Sequence, residues 1–153
     1  SHDVGKVGLT NEEKIRLVKG LSRHGKVLIA SEGELPSELE PFKVRISPTK
    51  IHDLMYYAQM YVGEGATMAS EAAILGTPSV YINPLILGYL NEINNKYHLL
   101  LQFSKGEPAI TKVLELAENQ NLKNEFRTRH DLMLNEKIDV TAWMVDFIES
   151  LVE

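Results

Sequence analysis

The stretch from residue 60 to residue 83 constrains this chain most. A short apolar strand over residues 60–63 runs into Gly63-Glu64-Gly65-Ala66. A helix opens near Thr67, carries Glu71 one turn in and stops at Gly76, and residues 78–82 form a second apolar strand. Two strands joined through a helix make a βαβ unit, which demands a parallel sheet with helices covering it. The turn between strand and helix is built of residues small enough to let backbone N–H groups reach a ligand. The free N–H groups and the positive dipole end of such a helix attract phosphate. Ligands of open parallel sheets gather at this carboxyl edge of the strands. The expected ligand is a phosphate-bearing metabolite.

The rest of the chain repeats the alternation. Thr10 and Glu13 form a capping box for a helix with Ile15, Leu17, Val18 and Leu21 as its apolar stripe. His24-Gly25 ends it, and residues 26–31 read as a strand buried on both faces. Residues 32–41, with two prolines and four glutamates, are a surface connection, and residues 42–47 alternate like a strand nearer the sheet edge. Ser47-Pro48 starts a helix with Ile51, Leu54, Met55 and Ala58 on one face. Beyond the central unit come a loop (83–88), a helix (89–97) and a fifth strand (98–103). Helices then carry Ile110, Val113, Leu114 and Ala117, next Leu122 and Phe126, and finally residues 140–151 with Asp139 as cap. The expected fold is α/β: a Rossmann-like parallel sheet of about five strands with flanking helices and a helical C-terminus. The 153 residues make one domain, with the sheet region over 3–104 and the helices over 105–153.

Composition removes several function classes. A net charge of −5 argues against nucleic acid, whose phosphates need clustered Lys and Arg. Without cysteine there is no disulfide or thiolate chemistry, which fits a cytoplasmic location. No apolar run approaches the length of a transmembrane helix. His24, His98 and His130 lack the spacing of a metal site, and neither metal nor cofactor is expected.

Each candidate site residue has a structural alternative. Gly63, Gly65 and Ala66 serve either a phosphate or simply a tight turn. Thr67 either faces the ligand or caps its own helix. Glu71, in an apolar helix, needs a partner: a ribose diol, or a Lys or Arg from a neighbouring loop. His52 and Asp53 open a helix whose loop could reach a nucleotide base, with helix capping as the simpler account. His2 and Asp3 sit in a glycine-rich loop facing the same cleft, where a His beside a carboxylate could act as base or phosphate donor. Arg127, Arg129, Lys123 and Lys137 read as a solvated face, and Trp143 and Phe147 as core. The loop that opens the chain follows no strand, so it reads as a piece cut at a strand end or as a domain that begins late behind a cloning remnant.

Several stretches together resemble the C-terminal half of proteins with the glycosyltransferase-B fold. They are residues 1–5 with Gly8, residues 27–32, 51–54, 63–72 and 75–78, Gly88-Tyr89-Leu90, Lys96-Tyr97, and residues 137–142. The pattern is similar to an uncharacterised bacterial and archaeal family with that predicted fold. More distantly, the central motif resembles that of the lipid II-forming N-acetylglucosaminyltransferase and of the non-hydrolysing UDP-N-acetylglucosamine 2-epimerases. The resemblance implies that Gly65, Ala66 and Thr67 face a diphosphate and that Glu71 takes the ribose of a nucleoside-diphosphate sugar, UDP-linked. It further implies that an N-terminal half supplies the acceptor site and the base, and that the last helix crosses towards that half, leaving part of its apolar surface exposed in this chain. Glu64 departs from the relatives' Ser or Asp, and a carboxylate beside a diphosphate is unfavourable unless turned away or bridged by a cation. The epimerases' arginine-rich segment has no counterpart here. A 2-epimerase-like enzyme and a non-catalytic assembly module that kept the fold are the alternatives. In the related fold the missing first strand lies mid-sheet, which leads to an expectation of self-association through an unpaired edge, or of a filled gap.

Overall fold

The computed structural model describes residues 8–31 and 33–151. His2 and Asp3 lie outside the described residues. Helix α1 (Asn11–Leu21) begins at the expected capping box: Thr10 Oγ accepts from Glu13 N, and the Glu13 carboxylate accepts from Thr10 N. Three parallel strands form the sheet, β1 (Tyr61–Gly63), β2 (Ser79–Ile82) and β3 (Leu100–Phe103), side by side in that order. Tyr61 aligns with Ser79 and Leu100, and β1 ends one residue before β2 and β3, at Gly63 opposite Tyr81.

β2 is central and wholly buried, and its alternation divides the core. Val80 and Ile82 pack with Leu17 of α1 and with Ala109, Ile110 and Val113 of α5 (Gly106–Glu118) on one face. Tyr81 points to the other face. There it meets Ala69 and Ala73 of α3 (Ala66–Ile74), Leu90 and Ile93 of α4 (Gly88–Asn95), and Phe126 of α6 (Leu122–Glu136). The result is helices on both faces of a parallel sheet. Each fully buried aliphatic side chain contributes about 1.5–3 kcal/mol. No helix among the described residues is long and apolar enough to cross a membrane.

The expected five strands are not seen; the described residues hold a three-stranded sheet. The segments 26–31 and 42–47 meet only at one parallel bridge, Ile29 with Lys43, through Ile29 N–H to Phe42 O and Val44 N–H to Ile29 O. Leu28 is 41% exposed, so this apolar run is not sandwiched between helices. A run of apolar residues reports a wish for burial, not whether a partner strand lies alongside. The segments therefore neither pair with β1 nor extend the sheet beyond it. The fifth expected strand is present as β3.

Two local expectations are met in detail. α3 stops where Gly76 takes φ +78, with Gly76 N–H donating to Ala73 O and Thr77 N–H to Ala72 O. That is a Schellman ending, open to glycine because the left-handed region suits a residue without Cβ. Asp139 caps α7 (Val140–Ser150) by accepting from Ala142 N. The apolar surface of α7 is exposed, as the crossing-helix expectation has it, but Trp143 (54% exposed) and Phe147 (51%) stack on each other rather than joining the core. The basic residues differ too. Lys123 donates to Tyr56 O and Ala58 O at the end of α2 (Ile51–Tyr57), Arg129 to His98 O, and Lys137 to Glu92. These three tie helices and turns together, while Arg127 and Lys137 keep the exposure expected of a solvated face.

Candidate functional site

The carboxyl ends of the strands carry three turns in a row: Gly63-Glu64-Gly65 into α3, Asn83-Pro84 towards α4, and Ser104-Lys105 into α5. Gly65 is the cap residue of α3, and no side-chain hydrogen bond caps this helix. Thr67 sits in the first turn, where its carbonyl accepts from Ser70 Oγ, so the self-capping alternative is not realised. The backbone N–H groups of Ala66, Thr67 and Met68 precede the first donor that can reach a carbonyl within the helix.

The turn is held in place from two sides. Asn83 is buried; its Nδ2 donates to Glu64 O at 3.2 Å while its Oδ1 accepts from Leu85 N at 2.9 Å. Gly63 lies beneath the ring of Tyr61, two residues back on the same strand face. A Cβ at Gly63 would stand 2.0 Å from the Tyr61 hydroxyl, so only glycine lets the phenol lie across the strand end. Sequence reasoning passed over Asn83 as a binding element and Tyr61 altogether. The strand alternation that puts residues i and i+2 on one face was the available signal for Tyr61.

The Glu64 carboxylate turns away from α3. Its Oε1 accepts from Leu9 N at 2.5 Å, and its Oε2 lies 3.1 Å from Lys14 Nζ. The electrostatic objection to a carboxylate in this turn is met by a cation fifty positions earlier in the chain.

His52 and Glu71 come together, His52 Nε2 lying 3.3 Å from Glu71 Oε2. His52 does not cap α2, and Asp53 pairs with Lys50 at 3.2 Å. Glu71 thus has a histidine where a lysine or arginine was the expected structural partner. Both side chains are more than one-third exposed, a geometry worth little to stability and open to exchange with a ligand. Burial first, then the charges of Glu64 and Glu71, push the Tyr61 phenol up to about 12. Tyr61 is therefore a neutral donor at ordinary pH.

A cavity of about 270 Å³ opens one turn along the same edge, lined by Gly8, Glu13, Asn83, Pro84, Lys105 and Gly106 among others. None of the sequence-predicted site residues lines it. The Thr10 backbone N–H, and then its side chain, hold the Glu13 carboxyl below the usual range. A negative charge therefore already stands near the start of α5. Among the described residues no group of three or more His, Asp or Glu is placed to hold a metal ion.

The fold and site define a mixed α/β domain with a three-stranded parallel sheet and an uncapped helix start at its carboxyl edge. No family model matches the chain, and comparisons with curated proteins and with solved structures gave no match.

Proposed function

We propose that this chain is the nucleotide-binding domain of a glycosyltransferase-B type protein. In this reading it has a Rossmann-like fold and takes a nucleoside-diphosphate sugar, UDP-linked, at the Gly63–Thr67 turn. The observation that carries the reading is the uncapped start of α3 at the sheet edge, with Glu64 turned aside onto Leu9 and Lys14. The diphosphate lies on the amides of Ala66, Thr67 and Met68, where fixed donors stabilise charge developing on a leaving group. Glu71 exchanges its exposed contact with His52 for the ribose hydroxyls, and His52 moves towards the base. Tyr61, held neutral, donates from below the turn.

The acceptor site and the base belong to an N-terminal half in this reading. The apolar surface of α7 supports it: Val140, Trp143, Met144, Phe147, Ile148 and Leu151 are each at least half exposed, as a helix is when its cover is a separate body. The 153 residues alone bind the donor and do not turn it over. Calorimetric titration with UDP, GDP and ADP tests the proposal. Heat with UDP exceeding the other two is the expected result, and no heat with any of them overturns it in favour of a module that does not bind nucleotides.

A further inference from the structure

Helix α7 has no buried residue, and every position from 134 to 151 is exposed. An 11-residue helix without packing is marginal in water, where isolated helices need about 12–15 residues even with good formers. It therefore needs a cover. Its base is anchored: the Tyr97 hydroxyl donates to Glu136, Lys96 pairs with Glu136 at 2.6 Å, and Lys137 pairs with Glu92 at 2.7 Å. From that joint α7 carries one apolar stripe, Val140, Trp143, Met144, Phe147, Ile148 and Leu151, each half or more exposed. At 3.6 residues per turn these share one side of the helix, and Asp146 and Glu149 fall on the other. The stripe reads the same in both directions. Laid antiparallel on a second copy, Val140 meets Leu151, Trp143 meets Ile148 and Met144 meets Phe147, each pair occurring twice, with Thr141 opposite Ser150 at the margin. No charge falls in the seam, and the two helix dipoles oppose each other. Such self-complementarity is what a two-fold interface requires. The open stripe offers on the order of 600 Å² per copy, so two copies cover about 1,200 Å², the lower bound of a specific interface.

We infer that the cover of α7 in this chain is a second copy, the two α7 helices packing antiparallel about a two-fold axis. The inference stands apart from the nucleotide reading, and a joined N-terminal half would contend for the same face. An interface of this size gives a weak dimer, with a Kd on the order of 10–100 µM. Unfolding measured well below that concentration reads the single copy.

Trp143 is the chain's one tryptophan and lies in the seam, so its fluorescence reports this contact. The test is sedimentation of the full chain from about 1 to 500 µM, with the emission followed over the same range. A monomer–dimer equilibrium is expected, with the emission moving to the blue at the same midpoint. Met144→Glu and Phe147→Lys are each expected to weaken the dimer by about tenfold or more, since each sets a charge against an apolar partner. An equimolar mixture of the two is expected to recover it, because a carboxylate at position 144 then faces an ammonium at position 147 of the other copy. Both positions are at least half exposed in the single copy, so the changes spare its core. A monomer at every concentration overturns the inference and leaves α7 to a different body. A dimer whose emission does not move, or that survives Met144→Glu, overturns it in favour of another surface. Loss in both variants without recovery in the mixture overturns the antiparallel pairing.

Discussion

The central unit and the last helix are both rich in apolar side chains, yet they have opposite fates. Ala69, Ala72, Ala73, Val80 and Tyr81 have no exposed surface, whereas along α7 every residue from Val140 to Ser150 is exposed. The difference lies in what each is joined to. α3 connects two adjacent strands and is fastened by Ser79 Oγ, which donates to Ala69 O at 2.7 Å, while Thr77 Oγ1 in the turn after it donates to Met55 O of α2 at 2.8 Å. α7 follows α6 through a short link with Asp139 as its cap, and its largest side chains stack on each other. Apolar composition states that a surface should be covered. Topology decides whether the same chain provides the cover.

Paired truncations break or sharpen this contrast. Ile82→Ala removes a side chain 2% exposed at the centre of the sheet and is expected to cost about 2–5 kcal/mol in urea unfolding. A cost under about 1 kcal/mol would show the centre to be loosely packed.

A pH dependence follows from Tyr61, whose phenol is raised from 10.0 to about 12 in the folded chain. Below pH 10 both states are protonated and the contribution is constant. Between 10 and 12 the unfolded chain releases the proton and the folded one keeps it, so stability falls by roughly 3 kcal/mol at most across that window. Denaturant unfolding on either side of the window should show this loss in the unaltered chain and not in Tyr61→Phe. Equal slopes in the two proteins would mean that the phenol is not desolvated at the strand end.

Thr77→Val keeps the shape and deletes the hydroxyl that holds α2 to the turn leading into β2. The expected cost is about 1–2 kcal/mol, because a buried donor–acceptor pair is lost. A neutral result in thermal unfolding would detach α2 from the account. Smallest is Ile148→Ala on α7, where the side chain is 57% exposed: within about 0.5 kcal/mol of the unaltered chain. A cost near that of Ile82→Ala would contradict the view that α7 is uncovered by its own domain.

The sequence was readable where a signal and its response lie within a few residues. Thr10 with Glu13, Gly76 after its helix, and Asp139 before Ala142 each satisfy backbone groups one turn away, and each appears as read. The βαβ unit belongs with them, since its period switches from strand to helix and back inside one window. Partners distant in the chain were not readable. Nothing near Glu64 points to Lys14, nothing near Glu71 selects His52 over a lysine, and residues 27–30 look the same whether a strand lies beside them or not. Trp143 and Phe147 lie outside the core for a like reason, because bulk and apolarity do not name the surface they meet.

The central claim concerns the amides of Ala66, Thr67 and Met68. A crystal of this chain soaked with UDP tests it directly. The account expects diphosphate density within hydrogen-bond distance of those three nitrogens and a ribose on Glu71 in place of His52. Diphosphate in the neighbouring cavity beside Lys105 and Gly106, with the start of α3 bare, would contradict it.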